Sequence, residues 1–586
     1  MRQWMVAAKK ADFYAIAEKF HVDPVVARII RNREVIGEKN IRIYLGGNLS
    51  DLSDPHQMKD MDRLVEILAQ KIRKQVHIRI IGDYDVDGVT SSHLFLTALR
   101  RVGAKVDVVI PHRIQDGYGL SLHLLQQAKE DGVDTILTCD NGIAAIDEIA
   151  WAKAQKMTVL VTDHHAVPFE EHEGRRTEKK SLADAVVNPH QQDCGYPYKE
   201  LCGAGVAWNV IRVLYENYDM DKREAEDLLD FVAMATVCDV MSLTGENRIL
   251  VKEGLKRIRH TKNIGLQALM QACNVQPENI SAYHFGYVLG PCVNATGRLD
   301  TARHALRLFE TGQETEAEEI ARDLVDLNQE RKELTLQGVE MAKKLCEEGG
   351  YENDPVLVLF LPDVHESIAG LIAGRIREMY NRPVFVLTRG EEGVKGSGRS
   401  TENYSMYENM CGCAELFTKF GGHPMAAGLS LPEENVEKFR RKINENCPLT
   451  VEEVCPDIHI DMAMPVGYAS TELVHQFALL EPFGKDNPSP LFADRNLSIS
   501  RMWLIGKNRN VLRMSVLSEY GQAVPVIFFG DVETLFAYFT EKFGQEEVEN
   551  ALHGRKNRIL FSMVYTAKID FYQGNENLQL EMKYYR

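Results

Sequence analysis

The stretch over residues 74–88, KQVHIRIIGDYDVDG, constrains the fold more than any other part of the chain. Its apolar half reads as a buried strand over residues 76–81. The strand runs straight into Asp83, Asp85 and Asp87 and stops at Gly88. Carboxylates at every second position, at the end of an apolar strand, repel one another and are costly to bury, so the arrangement calls for a cation. Ligand sites in open α/β sheets lie outside the carboxyl ends of strands. A polar turn explains one such Asp more readily than three. An EF-hand loop opens with the same spacing but needs Glu at its last position and a helix before it. Here that position is Leu94, and a β-like run precedes the loop.

From residue 76 onward, apolar runs alternate with helical periodicity. Strands are expected over 76–81, 105–110, 134–139, 157–162 and 184–188. Helices are expected over 89–101, 121–131, 143–155, 204–216 and 222–237. That alternation indicates βαβ units and a parallel sheet. Residues 300–348 are helical and heavily charged, as one long helix or a helix pair bridging two lobes. A second α/β pattern starts at residue 355. Short alternating segments from 497 to 585, interrupted by a helix over 532–543, suit a small antiparallel barrel. Residues 1–73 read as helical and peripheral.

Composition narrows the class. At 586 residues the length suggests roughly four domains. No apolar run is long enough to cross a membrane. The 11 cysteines include no C-x-x-C pair, which argues against a zinc ribbon and, with their scatter, suits a reducing cytoplasm. The net charge of −17 speaks against a nucleic-acid binder unless a basic groove is local.

The acidic theme recurs. Asp140 closes a strand in TCDNGI, Asp163-His164-His165 closes the next in VLVTDHH, and Asp239 follows an apolar helical run in VCDVMSL. One Asp at a strand end is often a helix cap, and a lone His is more often a core residue than a ligand. Several carboxylates with imidazoles and no thiolate suit Mn²⁺ or Mg²⁺. Two such ions about 3.5–4 Å apart serve phosphoryl hydrolysis. In the barrel region Lys507, Arg509 and Arg513 lie near Trp503, and Arg555, Lys556 and Arg558 precede Phe561. Basic residues interleaved with aromatics suit single-strand binding, and a solvated face is the equal alternative.

DYDVDG, CDNG, TDHH and CDV, in this order, resemble the four motifs of the DHH phosphoesterase superfamily. GRSTENYSM (from Gly398) and FGGHPMAAG (from Phe420) resemble the DHH-associated domain, whose GGH segment contacts substrate. HRIQDGYGLS (from His112), GPCVNATGRLD (from Gly290) and LEPFGKDNPSPLF (from Leu480) are similar to a bacterial branch of single-strand-specific exonucleases. The resemblance implies an α/β protein with five parts. These are an N-terminal helical segment (1–73), a parallel-sheet DHH catalytic lobe (74–299), a long helical linker (300–348), a DHH-associated α/β lobe (349–454) and a C-terminal antiparallel β-barrel of OB type (455–586). It implies a metal-dependent 5′→3′ exonuclease that degrades single-stranded DNA to 5′-mononucleotides in repair and recombination. A phosphodiesterase of short oligonucleotides or cyclic dinucleotides is the alternative.

Carried over by position, the family's metal ligands are Asp83, Asp85, Asp140, His164 and Asp239, with Asp140 bridging two Mn²⁺ or Mg²⁺ ions. His165 faces the scissile phosphate and Asp163 orients it, while Asp87 is a ligand or a support. Arg113, Arg298, Ser397, Arg399, Ser400, Gly422 and His423 fall on substrate positions. Cys292 and Thr296 stand where relatives carry Arg and Ala. The same resemblance implies a cytoplasmic monomer, without a membrane, that works with a single-stranded-DNA-binding protein and a DNA helicase.

Overall fold

The computed structural model describes residues 3–113, 116, 119–172, 175–299, 301–390, 393–454, 457–506, 510–572 and 574–586. These form two compact units. One comprises Leu52–Met241 and residues 249–454; the other comprises Gln3–Asp51, Ser242–Arg248 and Asp457–Arg586.

In the first unit, five strands form a wholly parallel sheet: β1 (Ile78–Ile81), β2 (Val106–Val109), β3 (Thr135–Cys139), β4 (Thr158–Thr162) and β5 (Ala185–Val187). Their order is β2-β1-β3-β4-β5. The chain leaves β1 to one side for β2 and returns on the other side for β3. A crevice therefore opens between β1 and β3, where α/β sheets bind ligands. β1 and β3 are buried at every position, as expected of strands covered by helices on both faces.

Helix Val86–Arg101 begins inside the acidic stretch, because the Asp85 carboxylate caps it by accepting the Gly88 N–H. The periodic run over 222–237 is broken into Arg223–Glu226 and Leu229–Cys238. The charged stretch is a helix pair, Ala302–Glu310 and the 35-residue helix Glu314–Glu348, the second about 52 Å long. It crosses helix Glu366–Tyr380 at Gly338, where a Cβ would stand 2.3 Å from the Ile372 side chain.

The same unit carries a second, mixed sheet: β6 (Leu357–Phe360), β7 (Val384–Gly390), β8 (Gly393–Arg399), β9 (Lys419–His423) and β10 (Ala426–Leu431), in the order β9-β10-β8-β7-β6. Only the β6–β7 pairing is parallel among these strands.

In the second unit, β11 (Met462–Ala463), β12 (Phe492–Ile505), β13 (Val511–Leu517), β14 (Ala523–Phe528), β15 (Leu560–Tyr572) and β16 (Asn575–Tyr585) run in the order β11-β12-β13-β14-β16-β15. A further β12–β15 pairing closes the barrel. The expectation of a purely antiparallel barrel is corrected: β11 runs parallel to β12, and β14 parallel to β16. The second parallel pairing arises because β15 and β16 form a hairpin. Helices Val532–Phe543 and Gln545–Leu552 separate that hairpin from β14, and its second strand is the one that docks.

The N-terminal helices are not peripheral to this barrel. Val25, Val26, Ala27, Ile29 and Ile30, on helix Pro24–Asn32, share one apolar core with Met502, Leu512, Met514 and Val516. Burying side chains of this kind contributes about 1.5–3 kcal/mol each. Arg33 adds a buried two-pronged bond to Asp461, at 2.8 and 3.1 Å. The LEPFGKDNPSPLF segment is part of this scaffold. The carbonyls of Leu479 and Leu480 accept from the buried Arg248, whose guanidinium lies 4.0 Å from the Tyr44 ring centre. Among the described residues no helix is long and apolar enough to cross a membrane.

Candidate metal centre and anion pocket

Three neighbouring strand ends supply most of the site. Asp83 and Asp85 follow β1, Asp140 follows β3, and Asp163, His164 and His165 follow β4. Asp239 arrives from the C-terminal end of helix Leu229–Cys238. Their ligand atoms fall into three overlapping groups, each within 4.8 Å: Asp83/Asp85/Asp140, Asp140/His164/His165 and Asp87/His164/Asp239. Asp140 joins the first two groups and His164 the last two, which makes one continuous cluster. His164 Nε2 lies 3.1 Å from Asp140 and 3.6 Å from both Asp87 and Asp239.

The turns after the strands explain the sequence motifs. Asp140 adopts φ 60°, a left-handed conformation that Asp tolerates better than most residues. Gly142 follows at φ 107°, where a Cβ would stand 2.7 Å from the Thr138 hydroxyl. Asn141 donates to the carbonyls of Ile81 (3.1 Å) and Cys139 (2.9 Å), which ties the ends of β1 and β3 together. In DYDVDG, a Cβ on Gly88 would stand 2.5 Å from the Asp83 backbone, so only glycine lets the first turn of the helix pack so close to that main chain.

Asp163 does not face the cluster. Its carboxylate accepts from the backbone of Ile143, His164 and His165 and from His165 Nδ1 at 2.8 Å. Burial works to raise its pKa, but the bond and charge of His165 outweigh that and hold it below the usual range. Burial likewise works to lower the His165 pKa. The Asp163 bond and the surrounding carboxylates reverse this and raise it to about 9. Asp87 has two relationships: it accepts the N–H groups of Gly203 (2.6 Å) and Ala204 (2.7 Å) at the start of helix Gly203–Asn217, and it borders the cluster.

The cluster carries unbalanced negative charge. Burial, then neighbouring carboxylates, raises the pKa of Asp83, Asp85 and Asp140. Burial holds His164 toward its neutral form, the form that binds metals. Asp83 Oδ1 and His164 Nε2 are buried without a hydrogen-bond partner among the described residues, although such atoms are almost always satisfied. Carboxylate oxygens and imidazole nitrogens around orphaned buried atoms fit hard divalent ions of the Mn²⁺ or Mg²⁺ type.

Sequence reasoning missed Gly203, which has no side chain to advertise a role. A Cβ there would stand 2.6 Å from Asp140 Cβ and 2.8 Å from its Oδ1. Gly203→Ala is therefore expected to displace Asp140 and lower turnover at least about a hundredfold, consistent with the cost of a 1 Å error in a reacting geometry. Its melting temperature should fall by only a few degrees, since overpacking one buried site costs about 1–3 kcal/mol. Wild-type turnover in the alanine variant would show that Asp140 tolerates the shift.

Beside the cluster lies a cavity of about 420 Å³, lined by Tyr84, Arg113, Ser367, Lys395, Ser397 and Lys419 among others. Arg113 lies 4.9 Å from the Tyr84 ring centre. Arg298 donates to the Ser367 carbonyl at 2.5 Å. Burial, then Arg113, Arg331 and Arg399, pushes Arg298 down to about 9, and burial and Arg113 lower Arg399. Guanidiniums crowded this way favour an anion between them. On β8, Gly396 and Gly398 face the packing layer, where added Cβ atoms would meet Leu387 at 2.4 Å and Met406 at 2.3 Å. Strand alternation then puts Lys395, Ser397 and Arg399 on the opposite face.

The remaining substrate positions sit elsewhere. Ser400 is buried, with its hydroxyl donating to the Tyr404 carbonyl at 2.6 Å, and it holds a turn. Gly422 and His423 are exposed on the edge strand β9. In the barrel, Lys507 and Arg509 lie outside the described residues. Arg501 and Arg513 flank Trp503, 5.7 and 6.0 Å from its ring centre. Arg558 is paired with Glu547, and Phe561 is buried in the barrel core rather than displayed between cations.

Residues 77–236 match the DHH family N-terminal domain, 353–447 the DHHA1 domain and 460–584 the RecJ OB domain. The chain is 33% identical to the single-stranded-DNA-specific exonuclease RecJ of Bacillus subtilis, over 87% of this chain and 63% of that protein. It is 32% identical to the RecJ of Haemophilus influenzae, over 96% of both chains. The fold matches the crystal structure of Thermus thermophilus RecJ in complex with Mn²⁺ with a TM-score of 0.81 and 25% identity, over 100% of this chain and 79% of that one. On this evidence the chain belongs to the RecJ family of DHH phosphoesterases.

Proposed function

We propose that this protein is a metal-dependent exonuclease that removes 5′-mononucleotides from single-stranded DNA, starting at the 5′ end. The observation that carries the reading is the adjacency, within one unit, of an acidic–imidazole cluster and a cavity whose lining includes the cationic side chains of Arg113, Lys395 and Lys419. When bound, two divalent cations supply Lewis acidity at the scissile phosphate and the positive charge that lets the carboxylates stay ionised. The chain's own residues do the rest. Asp83, Asp85, Asp140, His164 and Asp239 hold the cations, and Asp87 braces the cluster through the helix it caps. Asp163 fixes the ring of His165, which donates to the phosphate. Arg113, Arg298, Ser397 and Arg399 receive the terminal 5′-phosphate and so place the first internucleotide bond over the cluster. Gly422 and His423 extend the strand contact along the second lobe.

The helix pair over 302–348 acts as the linker between the two lobes, and the barrel, with Trp503 between two arginines, adds a stacking surface for the strand. We place the protein in the cytoplasm as a monomer, working beside a helicase and a single-stranded-DNA-binding protein that supply and expose the strand.

Incubation of 5′- and 3′-labelled single strands and duplexes with Mn²⁺ or with EDTA tests the reading. Mononucleotides should appear from the 5′ end of single strands only, and only with the metal. Release from the 3′ end, or equal attack on a blunt duplex, would sink it.

The 5′ pocket has its own consequence. A terminal phosphate carries more charge than an internal diester, and planar guanidiniums bind it in two-pronged fashion. Arg399→Ala should slow cleavage of 5′-phosphorylated strands about 10–100-fold, in line with losing a charge-assisted bond. It should barely affect 5′-hydroxyl strands, so the two substrates become nearly equivalent. An undiminished preference for phosphate would remove Arg399 from the pocket.

A further inference from the structure

Residues 282–299 form one continuous helical rod: Ala282–His284, a π-helical turn Phe285–Leu289, then Gly290–Leu299. Its buried side is pinned at two places. A Cβ on Gly290 would stand 2.3 Å from the sulfur of Cys238, the neighbour of Asp239. One on Gly297 would stand 2.5 Å from the carbonyl oxygen of Tyr84, which lies between Asp83 and Asp85. The rod therefore lies along the acidic cluster, touching the segments that bring ligands from both of its sides.

The less buried residues of the rod include Tyr283, Tyr287, Pro291, Asn294 and Arg298. Steps of three and four keep these on one face. Along that face, Arg298 reaches the carbonyl of Ser367 in the anion cavity, and Asn294 accepts the N–H of Val86, beside Asp85, at 3.2 Å. At the other end Tyr283 and Tyr287 stack on each other, with ring centres 5.0 Å apart and planes 24° from parallel. Both are open to solvent, at 62% and 71% exposure. Scattered exposed aromatics are ordinary. A stacked pair on the same face as an arginine bonded to the wall of the anion cavity is a different matter, and π-helical turns of this sort recur at functional sites.

We propose that Tyr283 and Tyr287 form a base-stacking subsite for the DNA strand on the far side of the metal cluster from the terminal-phosphate cavity. The inference rests on the strand-degrading function proposed above. The strand runs along the rod from Arg298, past Asn294, to the tyrosines. From Arg298 to Tyr287 the helical rise is about 16 Å. The stacked bases are thus those that follow the nucleotide being removed, and the subsite holds the body of the strand while its end is cut. Every base offers a π face, so the grip does not depend on sequence. Because the tyrosines are neutral, they add hold without adding to the salt dependence that phosphate contacts bring.

The test uses the full-length protein and 5′-phosphorylated strands of about 16 nucleotides, each with one abasic position from the second to the sixth. Dissociation constants are measured in EDTA, so that nothing is cut, and release of the first nucleotide is read separately with Mn²⁺. The wild-type protein should lose about tenfold in affinity when the base at one or two adjacent positions is missing, the size of a lost stacking contact. Tyr283→Ala/Tyr287→Ala should bind the intact strand about tenfold more weakly and become indifferent to those abasic positions. Tyr283→Phe/Tyr287→Phe, which keeps the rings, should behave as wild type. A double alanine variant that keeps the wild-type dissociation constant, or the wild-type abasic profile, overturns the subsite. Loss of nucleotide release by a wild-type protein that still shows the tyrosine-dependent abasic profile overturns the hydrolytic reading and leaves the subsite standing.

Discussion

Asp140→Ala abolishes strand hydrolysis while the protein stays folded. Asp140 joins two of the three ligand groups, so removing its carboxylate breaks both at once, whereas losing Asp83 or Asp239 breaks one. A metal contributes several kcal/mol of charge stabilisation to such a reaction, and each 1.36 kcal/mol is about a factor of ten in rate. A loss of at least about 10³-fold is expected. Because residue 140 sits at φ 60°, Asp140→Asn is the better control, since Asn accepts that conformation and keeps the shape without the charge.

The asparagine variant makes a second, opposite prediction. Burial and its acidic neighbours raise the Asp140 pKa, so without metal the ionised group costs stability, and the cost grows as pH rises above the ordinary carboxylate range. Metal-free Asp140→Asn should therefore melt higher than the metal-free wild type at neutral pH, and should gain less on addition of Mn²⁺. Near-normal turnover of either variant in Mn²⁺, or a metal-free asparagine variant that melts lower, would sink the assignment.

His165→Ala comes second in size and should damage the chemical step more than metal content. The two histidines are adjacent in sequence but differently placed. The His164 side chain is 7% exposed, with Nε2 among three carboxylates, whereas that of His165 is 37% exposed, with Nδ1 committed to Asp163. A ring fixed at Nδ1 by a buried carboxylate and partly exposed at the edge of the cluster is suited to donate to a phosphate oxygen. Removing one such donor typically costs about 10²–10³ in kcat. Metal stoichiometry measured beside single-turnover rates separates the roles. If His165→Ala loses metal in proportion to activity, His165 is a ligand.

Much of this architecture can be read from the sequence, and the gaps have physical causes. The parallel strands and the clustered carboxylates are legible because burial period and charge are local properties. Asp83, Asp140 and His164 meet because each lies within two residues of the end of one of three adjacent strands. The role of Gly203 is invisible because its function is the absence of a Cβ near a residue over sixty positions earlier. Ser400 looks like a neighbour of Arg399, yet alternation along β8 separates them, and the hydroxyl closes a turn. Phe561 and Arg558 suggest a displayed binding strip by spacing alone, but which side of β15 faces the core depends on the register with β12. The parallel pairings in the barrel depend on where a distant hairpin docks, which no local pattern records.

The joint core of the N-terminal helices and the barrel also bears on how the chain is made. Val25, Val26, Ala27, Ile29 and Ile30 leave the ribosome more than 400 residues before the barrel that covers them, which begins at Asp457. At about 5–20 residues per second, the wait lasts roughly 20–90 s. For that time the apolar face has only its N-terminal neighbours, such as Ala17, Ile41 and Tyr44, to cover it, while the whole catalytic unit is synthesised and can fold. Transiently exposed apolar surface of this kind is prone to aggregation and to proteolysis. For the same reason, cutting the chain after the second lobe does more than remove a nucleic-acid contact. It strands residues 13–46 without their core, and a clean separation of the catalytic unit has to remove both ends together.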